Sequence, residues 1–249
     1  MIQFDHSVLP RSLRGPRTAL THMFDGSVPQ SLLDVGCGLG VWSKAALNLG
    51  VKDVTALDAG DVDVNQLVAP ANSFRRQLLN QRFSLGRKFD VAICLEVGEH
   101  LAADDPPVLI ANLIDHADLI YFSAACPGQP GQGHINCQWP EYWQKLFNAA
   151  GYVCDDAIRW KLWNVSEIGF VYRQNLFLAR RDPLHAGREA RIQPVVHPEL
   201  VEVWEDDAAI DRRTKWLRQI EQGSQTMGWY CRLGPKALTR KLRRKLFLR

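Results

Sequence analysis

The stretch SLLDVGCGLGVW, at residues 31–42, restricts the fold of this chain more than any other. A short apolar run ends at Asp34, and three glycines then follow at alternate positions, Gly36, Gly38 and Gly40. Glycine at alternate positions weakens a strand, so packing alone does not explain this pattern. A glycine-rich turn between a strand and a helix lets backbone N–H groups approach a bound ligand closely. The stretch therefore predicts a buried strand, a ligand-binding turn and a helix.

The order of the apolar segments predicts an α/β fold. A strand at 53–58 follows the first helix, and this strand–turn–helix–strand unit implies a parallel pair. Two late strands without an intervening helix are expected to form an antiparallel edge hairpin. We therefore predict a Rossmann-like, doubly wound sheet that is mostly parallel, plus a C-terminal helical extension. The remaining predicted elements are strands at 89–97, 118–125, 152–158 and 169–180, and helices at 106–116, 140–150 and 201–222.

The 249 residues fit one large domain with an appendage. We expect the domain to span residues 1–180, with 1–28 as a helical lid or substrate segment. Residues 181–249 are expected to be a linker, a helix and a basic tail. The six cysteines show no CxxC pair or zinc spacing, and no apolar run approaches the length of a membrane span. We expect a reduced, cytoplasmic protein without a signal peptide.

The C-terminal tail carries most of the positive charge. Residues 232–249 contain eight Lys or Arg and no acidic residue, whereas the whole chain has a net charge of +3. Leu238, Leu242 and Leu246 share one helical stripe among these cations. The pattern is compatible with an amphipathic helix on the anionic inner face of a membrane or with a phosphate-backbone contact. A solvated terminus stays open, and RNA ranks second because no RNA-binding module accompanies the tail.

The motif DVGCGLG resembles the first motif of class I S-adenosylmethionine-dependent methyltransferases, D/E-x-G-x-G-x-G. A nicotinamide site prefers G-x-G-x-x-G instead, and a plain tight turn is a further alternative. Asp58 ends the second strand, where a carboxylate can accept both ribose hydroxyls of a nucleoside. The resemblance implies that Asp34 orders the turn and that the cofactor lies against Gly36, Cys37, Gly38 and Gly40. Methyltransferases commonly place an acid after the third strand for adenine, but Leu78 stands there, so backbone near Leu79 is expected to bind adenine.

A second constellation follows the central strand. CLEVGEHL places Glu96 at the end of this strand, beside the expected methyl donor, with Glu99 and His100 just beyond. His134 follows the next strand in a glycine-rich loop. Parallel strands end at the same rim, so we expect these four side chains to meet. Carboxylates and imidazoles are costly to bury unless they are paired, protonated or bound to a cation.

Two Glu and two His form a suitable set for an octahedral divalent cation with two positions open for a vicinal diol or catechol. We predict Mn²⁺ or Mg²⁺ at Glu96, Glu99, His100 and His134, and the imidazoles favour Mn²⁺. A metal-free site with His134 or His100 as general base is the main alternative. A second alternative is purely structural: Glu99 and His100 would cap the next helix.

The E-x-x-E-H pattern with a later His resembles small-RNA 3′-terminal 2′-O-methyltransferases, and E-x-x-E-H alone resembles ubiquinone-biosynthesis O-methyltransferases. A wider stretch from about residue 30 to 179 resembles bacterial class I methyltransferases of surface-glycan or secondary-metabolite pathways. These resemblances imply methyl transfer to a hydroxyl of a sugar or polyol, assisted by a divalent cation. RNA 2′-O-methylation, metal-free N- or O-methylation and a non-enzymatic scaffold remain as alternatives. Trp139 and the polar residues 172–175 are candidates for lining the acceptor pocket.

Overall fold

The computed structural model describes residues 11–59 and 62–221. In this part of the chain, seven strands form one sheet: β1 (Ser31–Val35), β2 (Asp53–Asp58), β3 (Phe74–Arg76), β4 (Val91–Leu95), β5 (Leu119–Ser123), β6 (Tyr152–Asp155) and β7 (Phe177–Arg181). Their spatial order is β3-β2-β1-β4-β5-β7-β6. β1 to β5 are parallel, and β7 is antiparallel to both of its neighbours. This arrangement confirms the predicted mostly parallel, Rossmann-like sheet with an antiparallel edge.

Helices cover both faces of the sheet. They are α1 (Arg14–Phe24), α2 (Val41–Asn48), α3 (Pro106–His116), α4 (Pro140–Ala149), α5 (Ala157–Leu162), α6 (Phe170–Asn175) and α7 (Pro198–Glu221). Side chains of α1, α2 and α5 pack with Leu32 and Ile93 on one face. Side chains of α3 and α4 pack with Leu33 and Cys94 on the other. Successive strand residues point to opposite faces, so the fully buried apolar strands of this sheet supply both cores.

The connection between β6 and β7 differs from the prediction. The sequence predicted two strands with no helix between them, but α5 and α6 lie there and β7 begins only at Phe177. Residues 170–172 are Phe, Val and Tyr, which favour strands by propensity. In the fold, Tyr172 packs edge-on against Trp42 of α2, with ring centroids 4.9 Å apart. Tertiary packing therefore outweighs local propensity at α6, although β6 and β7 still pair as antiparallel neighbours.

Residues 182–197, which we call the strap, follow β7 and lie against the core. Three buried side chains hold the strap by hydrogen bonds: Gln144 to the N–H of Ile192 (2.8 Å), Arg159 to the carbonyl of Gln193 (3.1 Å) and Gln174 to the N–H of His197 (2.7 Å). The segment that we expected to be a linker is thus hydrogen-bonded to α4, α5 and α6.

The chain divides into two compact units, one up to Leu200 and one from Val201. The first unit contains the sheet and all of the predicted site residues. α7 begins at Pro198 and ends at Glu221, in agreement with the predicted helical extension. The predicted amphipathic tail lies outside the described residues, as do the first ten residues of the expected lid. None of the described helices combines the length and apolar character that crossing a bilayer requires.

Candidate active site

The glycine turn (residues 36–40) follows β1 and is shaped by backbone contacts that only glycine allows. Gly36 has a φ of +81°, and a Cβ added there would lie 2.2 Å from Cγ2 of Val97. Gly40 has a φ of +73°, and its Cβ would lie 2.7 Å from that of Ala69. The N–H groups of Gly36 and Cys37 both donate to the carbonyl of Leu57 in β2, at 2.8 and 3.0 Å. The turn is therefore packed tightly against the neighbouring strand ends.

Two buried aspartates hold the turn in place. Asp34 accepts a hydrogen bond of 2.6 Å from the hydroxyl of Ser43, which ties the end of β1 to the start of α2. Burial raises the pKa of Asp34 to about 7, while the bond from Ser43 opposes this shift. Asp58 accepts a bond of 2.8 Å from the N–H of Gly38. Asp58 therefore contacts the turn, in addition to its predicted role at the cofactor ribose.

The predicted adenine region lies after β3. The side chain of Leu79 is buried in the apolar core beneath α3. Its carbonyl accepts a long hydrogen bond of 3.4 Å from the amide of Asn112, which also donates to Gln81 at 2.8 Å. The structure thus places a fixed backbone segment here, and its contact with adenine stays a prediction.

Three of the four predicted cation ligands lie together at the carboxyl end of β4. Glu99 and His100 belong to a 3-10 turn at residues 98–100, and His134 lies on the loop between residues 126 and 138, which we call the His134 loop. One ligand atom from each of these three residues lies within 4.8 Å of the others. Nε2 of His134 is 3.9 Å from Oε1 of Glu99. The fold thus brings these three of the four predicted residues together at one rim of the sheet.

Backbone hydrogen bonds fix the His134 loop over Glu99. The carbonyl of Glu99 accepts from the N–H groups of Ile135 and Asn136, both at 2.9 Å. Nδ1 of His134 lies 3.0 Å from the carbonyl of Gln129, and a carbonyl can only accept. His134 therefore carries a proton on Nδ1, and its Nε2 is the ring nitrogen on the side of Glu99. This tautomer is the one that a histidine bound to a metal through Nε2 adopts.

The carboxylate of Glu99 is the most costly group of the site. Glu99 is fully buried, and among the described residues no side-chain donor satisfies its carboxylate oxygens, which lie against the carboxyl group of Glu96 and the backbone of Ala125. Burial raises the pKa of Glu99 well above its usual range, and the charge of Glu96 raises it further. A buried carboxylate that no side-chain donor satisfies is strongly destabilising unless a proton or a cation neutralises it. The donor set of one carboxylate and two imidazoles fits a divalent transition cation.

Glu96, the fourth predicted ligand, lies outside this group of three. It has a φ of +55°, a strained conformation for a residue with a side chain. Its Oε2 accepts a hydrogen bond of 2.7 Å from the amide of Gln129, and the amide of Asn175 lies 3.2 Å from Oε1. Burial raises the pKa of Glu96, whereas hydrogen bonds with Gln129, Ser123, Asn175 and the adjacent carboxyl group of Glu99 lower it.

A family model described as a methyltransferase domain matches residues 11–157, which is more than half of the chain. The chain belongs to the class I S-adenosylmethionine-dependent methyltransferases. This membership agrees with the glycine turn at the end of β1 and with the order of the strands. In this family the bound cofactor is S-adenosylmethionine.

Relatives of known name match only part of this methyltransferase. The ubiquinone biosynthesis O-methyltransferase of Methylobacterium sp. (strain 4-46) is 33% identical over 78 residues, which are 29% of this chain and 31% of that protein. The enzyme of the same name from Proteus mirabilis (strain HI4320) is 29% identical over 109 residues, 40% of this chain and 43% of that protein. The chain thus spans less than half the length of these curated relatives.

A solved structure supports the fold alone. The crystal structure of DesVI from Streptomyces venezuelae is similar with a TM-score of 0.52 at 12% identity, and the match covers 72% of this chain and 99% of that one. At this identity the likeness extends to the Rossmann-like sheet and its helices.

Sequence reasoning missed two of the polar contacts around the site. Gln129 was not singled out, although it lies in the glycine-rich segment that carries His134. Asn175 was considered only as part of a polar stretch in a predicted strand. The available signal was the run of polar residues from 172 to 175 in an otherwise apolar region. Only the fold shows that this run ends beside Glu96, which precedes Asn175 by 79 positions.

Proposed function

We propose that this methyltransferase transfers the methyl group of S-adenosylmethionine to a hydroxyl oxygen of a sugar or other polyol. In this proposal Glu99, His100 and His134 hold a divalent cation, Mn²⁺ or Mg²⁺, beside the acceptor. The observation that carries it is the fully buried Glu99 carboxylate next to two imidazoles, with no side-chain donor to its oxygens in the described part of the chain.

The three residues have distinct tasks in holding the cation. Glu99 supplies the negative charge, and its burial makes a cation the most favourable neutralising partner apart from a proton. His134 presents Nε2 because its Nδ1 proton is held by the carbonyl of Gln129. The ring of His100 packs edge-on against that of His134, with centroids 5.1 Å apart. When bound, such a cation supplies Lewis acidity towards the acceptor hydroxyl.

One observation supports oxygen as the methyl acceptor, and another supports a sugar or other polyol. The partial relatives are named as O-methyltransferases. Trp139 is 37% exposed just beyond the His134 loop, and Ile135 beside His134 is 57% exposed. An exposed indole face is a suitable surface for the ring of a sugar, which is the reason for proposing a polyol.

A metal-free site is the second candidate function. The position of His134 favours it, since Nε2 of its ring lies 3.9 Å from Oε1 of Glu99 at the edge of the site. His134 would then accept the proton of the acceptor as a general base. This candidate allows amine acceptors as well as hydroxyls.

The test is calorimetric titration of Mn²⁺ into the protein saturated with S-adenosylhomocysteine. We expect one saturable site, with at least about tenfold weaker binding in His134→Ala. The matched control is His185→Ala, since His185 also lies beside a carboxylate, with Nδ1 2.9 Å from Asp182, but on the surface. Wild-type protein that binds no Mn²⁺ would refute the cation site and leave His134 as the candidate base.

The acceptor class needs a separate test. Purified enzyme with labelled S-adenosylmethionine should methylate a panel of sugars and polyols, and the label should resist conditions that cleave methylated amines. An RNA substrate would instead show binding that falls steeply with salt concentration. Transfer to amines or to RNA alone would refute the proposed acceptor.

A further inference from the structure

We propose that Gln129 and Asn175 are positioning residues that hold the carboxylate of Glu96 towards the cofactor, where it discriminates the positively charged methyl donor from the neutral product. In this arrangement Glu96 is a contact of the cofactor and not a ligand of the cation site. The inference depends on the cofactor class of the family, and it is independent of the proposed cation and acceptor.

Two amides donate hydrogen bonds to the carboxylate of Glu96, which also lies against the carboxyl group of Glu99. Gln129 donates to Oε2 of Glu96 at 2.7 Å, and Asn175 lies 3.2 Å from Oε1 and 3.5 Å from Oε2. Asn175 also donates to the side-chain oxygen of Gln129 at 2.8 Å. Asn175 and Gln129 are 3% and 5% exposed, so little water competes for these groups. Glu96 is therefore fixed by residues from two separate segments.

A third amide fixes which way Asn175 points. The side-chain amide of Gln174 donates to Oδ1 of Asn175 at 3.0 Å, so the donor group of Asn175 must face Glu96. The oxygen of Gln174 accepts from the N–H of His197 at 2.7 Å, which anchors this amide in turn. Such fully satisfied polar networks are rigid, because every reorientation leaves a buried group without a partner.

The position of Glu96 relative to the glycine turn argues for a contact with the cofactor. Glu96 follows β4, which pairs directly with β1, the strand that precedes the turn. The next residue, Val97, fills the space where Gly36 lacks a side chain. The strained φ of +55° at Glu96 turns the chain at this point. A positive φ at a residue with a side chain persists only where the surrounding structure holds it, and such residues cluster at functional sites.

The chemistry of the cofactor explains what the carboxylate can do there. S-adenosylmethionine carries a positive sulfonium, and S-adenosylhomocysteine carries a neutral thioether at the same position. A carboxylate held nearby in a poorly hydrated site favours the cationic ligand. The two amides donate to the carboxylate and so keep its oxygens in place while the ligand changes. Glu96 then favours binding of the donor and release of the product.

The experiment measures the dissociation constants of S-adenosylmethionine and S-adenosylhomocysteine with a chelator present. Glu96→Gln should weaken the donor about tenfold relative to the product. Asn175→Leu and Gln129→Met leave the net charge unchanged, so any shift in the ratio of the two constants reports the placement of Glu96. We expect both to shift this ratio in the same direction, by about threefold.

Asn148→Leu is the matched control. Asn148 donates to the carboxylate of Glu189 and to the carbonyl of Tyr152, so it is an amide that holds a glutamate away from the site. It should lower stability without changing the ratio. If either Asn175→Leu or Gln129→Met fails to fold, the other variant still tests the proposal. An unchanged ratio of the two constants in Glu96→Gln, or in a folded Asn175→Leu or Gln129→Met variant, would overturn the proposal.

A Mn²⁺ titration of Glu96→Gln separates this inference from the proposed function. Unchanged Mn²⁺ affinity together with a changed ligand ratio supports the separation of Glu96 from the cation site. Loss of Mn²⁺ binding in this variant would make Glu96 a cation ligand and refute that separation. Wild-type protein that binds no Mn²⁺ refutes only the cation site, since the ligand ratio is measured with chelator.

Discussion

At the scale of single residues, this protein depends on carboxylates that the fold withdraws from water. Asp34 is the clearest case, because it is 4% exposed and lies near a second acid, Asp58. Burial and the charge of Asp58 both disfavour the ionised form of Asp34, and the hydroxyl of Ser43 offsets only part of this effect. Asp34 therefore binds its proton more tightly in the folded than in the unfolded chain.

This difference predicts a pH dependence of stability. The pKa of Asp34 is about 7 in the folded state, against 3.8 ordinarily. The stability that protonated Asp34 contributes to the folded state is therefore fully present below about pH 4 and is lost as the pH rises through 7. In Asp34→Asn, whose amide oxygen still accepts from Ser43, this loss is absent. Relative to wild type, the variant should gain about 4 kcal/mol in the free energy of unfolding between pH 4 and 8. Urea denaturation at a series of pH values measures this difference.

Asp53→Asn provides a control of opposite sign. The guanidinium of Arg87 lowers the pKa of Asp53 at the surface. The stability that this pair adds is present above the ordinary pKa and is lost at low pH. Asp53→Asn should thus match wild type in acid and lose stability towards neutral pH. Parallel curves for Asp34→Asn and wild type between pH 4 and 8 would contradict the buried, proton-binding state of Asp34.

At the scale of elements, the turn after β1 requires glycine for two separate reasons that can be measured apart. Gly36 and Gly26 have nearly equal φ angles, +81° and +83°. A Cβ on Gly26 would meet nothing within 4 Å, whereas a Cβ on Gly36 would overlap Val97. The left-handed conformation alone costs about 1–2 kcal/mol for a residue with a side chain.

We therefore expect Gly26→Ala to lose only this amount of stability and to bind S-adenosylhomocysteine normally. Gly36→Ala should lose more stability and bind the same ligand at least about tenfold more weakly, because the turn must move away from Val97. Chemical denaturation and calorimetry give the two quantities. Equal effects of the two substitutions on ligand binding would show that the close approach at Val97 has no importance for the cofactor.

Long apolar elements could be predicted from the sequence, and short ones could not. β1, β2, β4 and β5 follow from continuous apolar runs, which are typical of strands covered on both faces. α6 was missed because residues 170–172 favour a strand, and only the packing of Tyr172 on Trp42 reveals the helix. Glu99, His100 and His134 could be found because strand ends share a rim. The contact between Asn175 and Glu96 could not be found, since it depends on where the missed helix ends.

At the scale of the whole molecule, the strap decides where the folded methyltransferase unit ends. From the sequence we predicted a domain at residues 1–180, whereas the first compact unit reaches Leu200. The strap supplies the carboxylate of Glu189, which accepts hydrogen bonds from Gln144 and from the N–H of Cys154, both at 3.1 Å. It also supplies the carbonyl of Gln193 to Arg159, whose side chain is fully buried.

Two truncated chains test this boundary. A chain that ends after Leu200 retains all of the strap contacts, so we expect cooperative unfolding near that of the full chain and unchanged binding of S-adenosylhomocysteine. A chain that ends after Arg180 leaves Arg159 without the carbonyl of Gln193 and leaves Gln174 without the N–H of His197. Each unsatisfied buried group costs about 1–3 kcal/mol, and more when it is charged.

The shorter chain should consequently unfold at much lower denaturant concentration or fail to fold. The two truncation points also differ in their effect on the residues around Glu96. Gln174 orients Asn175, so removal of His197 loosens the amides that hold Glu96 even in a chain that still folds. If the chain ending after Arg180 matched the longer one in stability and in its preference for S-adenosylmethionine over S-adenosylhomocysteine, the strap would contribute to neither property. If it lost both, the strap would be part of the methyltransferase fold and of its cofactor site.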